Sequence, residues 1–363
     1  MYPFKEGSFA VRNCWYVAAW SDQVTRVPLE RWFLDMPVVL YRREDGSPVA
    51  VAGRCPHRQF PMAAGTLQGD TLVCGYHGIA FGPDGLCTRI PAQTNLPASF
   101  RIRTYPLVER DGWIWIWAGD AEAADEALLP DLAATGWMAP EASSSAMHYN
   151  LVNGRYQLLN DNLLDLTHLA FLHSTNIGME EVATTEDKVE VGDDFVRSIR
   201  TISNASPSPS VRASHGDVRV NFYLDFVFLA PGIHYGINRT NLTDESGKDG
   251  KLLLDTTVYH AITPATRNSC HYFFGRTLRY PEADFDQTKA AIGIAKVLGE
   301  DIFATEEIER LVTTGSFRDL LTRGDVAVSR GRALLQRWMD REAAGQDAGS
   351  RPDPLADQRV SVA

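Results

Sequence analysis

The chain has 363 residues, of which 44% are hydrophobic, 10% aromatic and 22% charged, a balance that builds packed cores rather than disorder. At about 100–200 residues per domain it has room for two or three. Its formal net charge of −11 argues against a surface made to neutralise nucleic-acid phosphates. No apolar run approaches the ~20 residues of a membrane helix, and the N-terminal MYPFKEGSFA has no apolar signal core. A cytoplasmic protein with no membrane and no nucleic-acid partner is therefore expected. The five cysteines, Cys14, Cys55, Cys74, Cys87 and Cys270, are odd in number and do not form a disulfide framework. Reduced thiols are expected, with any special ones holding metal.

In chain order, the first third reads as short strands between turns. Residues 36–42 and 49–52 flank a Glu-Asp-Gly-Ser-Pro turn, residues 72–74 follow Gly69-Asp70, and Gly82-Pro83-Asp84-Gly85 marks another reversal. Residues 112–118 (GWIWIWA) alternate Trp with Ile, the period of a strand covered on both faces. Trp113, Trp115 and Trp117 are read as packing residues. An acidic, alanine-rich stretch at 119–134 then breaks the pattern, and a boundary between domains at 1–120 and 121–345 is expected there. Residues 155–173 read as a helix, and 218–229, 252–262 and 269–280 as long strands of an antiparallel sheet. Helices are expected at 284–298, 301–314 and 326–342, followed by a mobile tail at 346–363. The class is α+β.

The sharpest local signal is Cys55-Pro-His57-Arg58, followed after 16 residues by Cys74-Gly75-Tyr76-His77-Gly78. These are matched half-sites, C-x-H and C-x2-H, whose thiolates and imidazoles suit zinc or an iron–sulfur cluster. A zinc ribbon usually has C-x2–4-C in one half-site, and neither half-site here does. A Rieske [2Fe–2S] centre gives one iron two Cys and the other two His, a division this pattern meets if each loop serves both irons. Cys14, Cys87 and Cys270 lack partner spacing and are read as small buried residues.

A second polar cluster falls in the 155–173 segment: Asp161, Asn162, Asp165, His168 and His173. A 2-His-1-carboxylate site for non-haem Fe(II) needs two imidazoles and one acid on one face of the metal. At about 100° per residue, His168 and His173 diverge by roughly 140°, so they can share a metal only if the helix ends or widens between them. Asp165, three residues before His168, is better placed to hydrogen-bond that ring's other nitrogen than to be the third ligand. The third ligand must come from elsewhere; Gly299-Glu300-Asp301 is read as a helix start, and spacing does not choose between the two acids.

Together the two motifs resemble the oxygenase component of the Rieske non-haem iron aromatic oxygenases. CPHR…CGYHG is similar to that family's cluster motif and Asp165-x2-His168-x4-His173 to its iron motif, over about residues 10–340. DNLLDLTHLAFLH (161–173) and ITPATRNSCHYFFG (262–275) place the resemblance in the branch of vanillate O-demethylase and dicamba monooxygenase. The resemblance implies an N-terminal all-β Rieske domain and a C-terminal helix-grip (START-like) catalytic domain with a large antiparallel sheet. It implies Cys55, His57, Cys74 and His77 on the cluster, and His168, His173 and Asp301 on a mononuclear Fe(II). By the same resemblance, Asp165 bridges His168 to His77 of the next subunit in a homotrimer, and Asn162 lies near the iron. It also implies that His260 contacts a substrate carboxylate; His234, Asn238 and Arg239 are further pocket candidates.

The implied activity is O-demethylation of a vanillate-like methoxylated aromatic acid with O2, releasing a phenol and formaldehyde. Ring hydroxylation or dihydroxylation, N-demethylation and plain electron transfer are the rival readings. No Gly-x-Gly-x-x-Gly follows a strand, so electrons are expected from a separate NAD(P)H-dependent reductase, with or without a ferredoxin.

Overall fold

The Trp-Ile repeat forms the central strand of a three-stranded sheet. A computed structural model describes residues 2–137, 143–144, 147–278, 287–314 and 319–345. In it the chain divides into two compact units, one of residues 10–129 with 263–267, the other of 1–9, 130–262 and 268–363. The expected tail at 346–363 and the starts and ends of two expected elements, 279–280 and 284–286, lie outside the described residues.

The 10–129 unit is all β. Strand β1 (Trp15–Trp20) is followed by β2 (Leu29–Phe33), β3 (Met36–Arg42) and β4 (Pro48–Ala52), then by four short strands. These are β5 (Thr66–Gln68), β6 (Thr71–Val73), β7 (Ala80–Phe81) and β8 (Cys87–Arg89); β9 (Leu107–Arg110) and β10 (Trp113–Trp117) close the unit. They make sheets ordered β1-β10-β9, β2-β3-β4 and β5-β6-β7-β8. All of β10 is buried, as alternation of two large apolar residue types requires. Its ends set Trp117 opposite Trp15 and Trp113 opposite Trp20, with ring pairs edge-on at 5.4 and 5.1 Å.

The other unit is built on an eight-stranded antiparallel sheet. Its strands are β11 (Ser143–Ser144), β12 (His148–Val152), β13 (Lys188–Val191), β14 (Phe195–Ala205), β15 (Val220–Leu229), β16 (Ile233–Thr243), β17 (Asp249–Thr266) and β18 (Ser269–Leu278). The order is β11-β18-β17-β16-β15-β14-β13, with β12 also on β18. Helices α1 (Tyr156–Leu164), α2 (Glu180–Thr184), α3 (Pro209–His215), α4 (Gln287–Val312) and α5 (Val326–Ala343) accompany it. Helix α1 packs on both α4 and α5. None of the described helices is long and apolar enough to cross a membrane.

Three expected elements differ. The 155–173 segment is not one helix: α1 stops at Leu164, and Asp165 is extended (φ −105°, ψ 94°). Its carboxylate accepts from the Thr167 N–H and starts a separate 3-10 turn over Leu166–Ala170. Asp competes for backbone donors in this way and favours helix starts over interiors. The expected helices at 284–298 and 301–314 are one continuous α4, so Glu300 and Asp301 lie mid-helix rather than at its start. The buried face of α4 runs Leu298, Asp301, Thr305, Glu309 and continues straight across Gly299. An interior Gly costs about 1 kcal/mol, too little to break a helix so packed.

That buried face of α4 is anchored at Glu309, whose carboxylate takes Arg155 Nε (2.6 Å) and Nη2 (2.8 Å) and also Asn268 Nδ2 (2.6 Å). Both charged side chains are 6% exposed. Removing one partner of a buried pair strands the other charge, at a cost of about 3–5 kcal/mol. Glu309→Ala is expected to lower the unfolding free energy measured in urea by that amount, and a value within about 0.5 kcal/mol of the parent would refute the pairing. Burial raises the Glu309 carboxyl pKa, but hydrogen bonds from Arg155 and Asn268 outweigh it, so the net shift is downward. A lowered carboxyl stabilises above its unfolded pKa of about 4.3, and that contribution fades as pH falls through the native value.

Candidate metal centres

The two Cys-x-x loops of the β unit share one backbone pattern. The Cys55 N–H donates to the Phe60 carbonyl (2.9 Å) and the Gln59 N–H returns to the Cys55 carbonyl (2.8 Å). The Cys74 N–H donates to Ile79 (2.8 Å) and the Gly78 N–H returns to Cys74 (3.0 Å). In each loop the fourth residue after Cys is left-handed, Gln59 at φ 58° and Gly78 at φ 68°. Gly75 is required for a different reason, because a Cβ there would sit 2.6 Å from the Ala64 carbonyl oxygen. Cys55 and Cys74 are each 1% exposed, whereas His57 and His77 are exposed, their ring centroids 4.6 Å apart. Burial raises the Cys55 thiol pKa and the neighbouring Cys74 adds to the effect. Two buried thiols and two solvent-facing imidazoles on paired loops match the donor chemistry of a Rieske cluster.

Among the remaining thiols, Cys14 and Cys270 are buried and Cys87 is only half-buried.

In the other unit, His168, His173 and Asp301 offer ligand atoms that all lie within 4.8 Å of one another. The break after α1 makes this possible, since it frees His168 and His173 from helical spacing. Asp301 Oδ1 is 3.0 Å from His173 Nε2 and 3.5 Å from His168 Nε2. The far nitrogens are also held. His168 Nδ1 donates to the Asp165 carbonyl (2.6 Å) and His173 Nδ1 to Glu300 Oε2 (2.7 Å). Both rings thus direct Nε2 toward the carboxylate. Burial raises the Asp301 carboxyl pKa, but hydrogen bonds and charge from His168 and His173 outweigh it and bring it to about 2. For His173, burial disfavours the cation, yet Asp301 and Glu300 together shift it upward. Two imidazoles and a buried carboxylate, with three donor atoms converging, fit a 2-His-1-carboxylate iron.

Asp165 does not place its carboxylate on His168 as expected. The backbone carbonyl makes that contact, while Oδ1 is occupied by the Thr167 N–H (2.9 Å) and hydroxyl (2.7 Å). Asn162, one turn earlier, is half-buried and its Oδ1 has no partner among the described residues.

The sheet presents a row of buried polar side chains. His234 on β16 sits directly across from His260 on β17. The Asn160 Oδ1 accepts from His234 Nε2–H (2.9 Å), and the Tyr272 hydroxyl lies 2.7 Å from His260 Nδ1. Burial pushes His234 well down, helped by His260, and brings His260 to about 4 against the pull of Asp301. Both rings are therefore neutral near pH 7, and the Asp301 charge is felt at His260 and at Tyr272. Asn238 shares the His234 face by strand alternation and is half-buried across from Thr256. Arg239 is on the other face, paired with Asp255 at 3.0 Å, and does not join this row. Asn160, Tyr272 and the role of Glu300 are not evident from motif spacing. The hairpin that returns β18 along β17 was the one signal that could have brought Tyr272 to His260.

Such a pairing of a thiolate–imidazole β module with a helix-and-sheet unit whose turn after α1 and helix α4 bring together two His and one Asp defines the oxygenase components of Rieske type. Residues 14–106 match the model of the Rieske [2Fe-2S] domain and residues 152–341 that of the vanillate O-demethylase oxygenase C-terminal domain. The chain belongs to this Rieske non-haem iron oxygenase family, in the group of the vanillate and dicamba O-demethylase oxygenase components. It is 32% identical to the oxygenase component of dicamba O-demethylase from Stenotrophomonas maltophilia, over 92% of this chain and 99% of that one. It is 30% identical to the vanillate O-demethylase oxygenase subunit of Pseudomonas sp. strain HR199, over 93% and 97%. The crystal structure of dicamba monooxygenase bound to 3,6-dichlorosalicylic acid superposes with a TM-score of 0.83 at 31% identity, covering 93% of this chain and all of that one.

Proposed function

We propose that the protein O-demethylates a methoxylated aromatic acid, with electrons from a separate NAD(P)H-dependent reductase, directly or through a ferredoxin. One observation carries the reading: the ligand atoms of His168, His173 and Asp301 converge within 4.8 Å, in the unit whose sheet holds the buried His260–Tyr272 pair at 2.7 Å. His168, His173 and Asp301 hold the mononuclear iron, and Cys55, His57, Cys74 and His77 hold the cluster. When bound, the cluster delivers electrons singly and the iron supplies O2 reduction and oxidation of the methyl C–H. In the balanced reaction one oxygen atom enters the methyl carbon and the other leaves as water. The hemiacetal then breaks to the phenol and formaldehyde.

The chain's own groups set the geometry. The Tyr272 O–H donates to His260 Nδ1, which leaves Nε2–H as a donor for the substrate carboxylate. Asn160 fixes the His234 tautomer in the opposite sense, its Oδ1 accepting from the ring Nε2–H. Asn238, farther along the same face, is a further polar group toward the substrate. Asn162, whose Oδ1 has no partner among the described residues, would face the iron. The Asp165 carboxylate is the link toward His77 of a neighbouring copy, in a ring that is most simply a trimer. The expected division at 120/121 becomes the two compact units, 10–129 with 263–267 for electron entry and the other for chemistry.

The test is a single turnover of the reduced holoenzyme with O2 and a panel of methoxybenzoates including vanillate. Formaldehyde forming in step with the phenol is the expected result. Oxygen consumed with a diol, a hydroxylated ring or no formaldehyde across the panel would overturn O-demethylation.

A further inference from the structure

Glu300 and Asp301 are neighbours on α4, about 100° apart around the helix, yet both reach the same imidazole. Asp301 Oδ1 is 3.0 Å from His173 Nε2, and Glu300 Oε2 is 2.7 Å from His173 Nδ1. The ring is fully buried between them, whereas the Glu300 side chain is 23% exposed. His168 has no such carboxylate on its far side, because the peptide carbonyl of Asp165 fills that place. The two imidazoles of the site therefore differ: one leans on a charged acceptor, the other on a neutral one.

Glu300 is itself braced. Lys296, one turn earlier, has its Nζ 4.0 Å from Glu300 Oε1 and donates to the Thr175 hydroxyl at 2.7 Å. One further turn back, the Gly293 carbonyl accepts from Asn176 Nδ2 at 3.0 Å. Positions 293, 296 and 300 fall on one stripe of α4, and the loop after His173 lies along it. Asp301, one residue on, leaves the stripe toward the ligand cluster.

We propose that Glu300 is the positioning residue of the iron site: it fixes the His173 ring through Nδ1–H and strengthens that ring as an iron ligand. The proposal rests on the reading of His168, His173 and Asp301 as the iron ligands. A carboxylate on a ligating imidazole's remote N–H fixes its tautomer and raises its basicity, and losing such a partner typically costs 10–100-fold in metal affinity. Glu300 also explains why the adjacent acids of α4 are not interchangeable. The shorter side chain lies between the two Nε2 atoms, and the longer one reaches around to the far edge of one ring.

The test uses the holoenzyme and two variants. Glu300→Gln keeps an oxygen acceptor for Nδ1–H and removes the charge; Glu300→Ala removes both. Fe(II) retention is measured against a competing chelator, and the ferrous site is read by EPR after adding nitric oxide, with the cluster's visible spectrum as internal control. Glu300→Gln is expected to bind Fe(II) about 10-fold more weakly and Glu300→Ala about 100-fold, each with an altered nitrosyl EPR signal. An unaltered EPR signal and affinity within about twofold of the parent in both variants would overturn the proposal. If Glu300→Ala does not fold, the isosteric Glu300→Gln decides alone. A failure of the underlying reading looks different, because His173→Ala and Asp301→Ala would then also retain this iron.

Discussion

Replacing His168 by alanine is expected to abolish the mononuclear iron, reduce turnover to background, and leave the cluster's visible and EPR spectra intact. The ligand atoms of His168, His173 and Asp301 converge within 4.8 Å, so loss of one imidazole leaves an incomplete set. The fold is expected to survive because the His168 side chain is 18% exposed, well outside the fully packed range. Iron content and the nitrosyl EPR signal measure the loss directly. Iron retained at that site, in a variant with a normal cluster, would remove His168 from the ligand set. Asp301→Asn is the companion variant, since it holds shape while removing the charge that His168 and His173 both face.

Asp165→Asn is expected to keep both metal centres and to slow electron delivery from cluster to iron by about 100-fold. The structure makes this an unusually clean substitution. The contact to His168 comes from the Asp165 carbonyl, which any residue supplies, so the aim of that ring is unchanged. An Asn oxygen can still accept from the Thr167 N–H and hydroxyl, so the start of the 3-10 turn is kept. What changes is the negative charge and the second oxygen, which are what a bridge to His77 of a neighbouring copy requires. Rapid-mixing spectroscopy of the reduced protein with substrate and O2 follows cluster reoxidation. Reoxidation and turnover near the parent rates would eliminate the bridging role. Asp165→Ala separates the effects, since it also loses the cap, worth about 1 kcal/mol.

Much of the β unit was legible because its signals are local. Turn residues, the β10 alternation and the two Cys/His half-sites depend on neighbours only a few positions apart. The condition that His168 and His173 can share a metal only if the helix ends or widens between them was also readable; α1 ends before both, at Leu164, and it is the 3-10 turn ending at Ala170 that parts them. The placement of the α1 end was not, because Asp165 at a helix interior and Asp165 at a cap share one sequence. Helix α4 was misread for a related reason. Its inward face carries Asp301, Thr305 and Glu309, so apolar periodicity fades where the helix does its chemistry. Choosing between Glu300 and Asp301 required the direction of two side chains relative to a ring 127 and 128 residues away in sequence. No pattern along the chain contains that direction. Tyr272 and Asn160 escaped for the same reason: each acts on a histidine of another element.

The paired left-handed residues of the cysteine loops carry a consequence for how the β unit can vary. Cys55 and Cys74 start backbones that follow the same course for six residues, so it is the cysteines that correspond between loops, not the motifs as spelled. The histidines then fall one position out of step, His57 two after its cysteine and His77 three. A single mould is used twice, and a shift of one place in where the imidazole is mounted makes the two halves inequivalent. Gln59 and Gly78 occupy the mould's tightest point, where side chains with a Cβ pay roughly 1–2 kcal/mol. Drift at that point is open to Gly, Asn and Asp and closed to branched residues, in both loops alike.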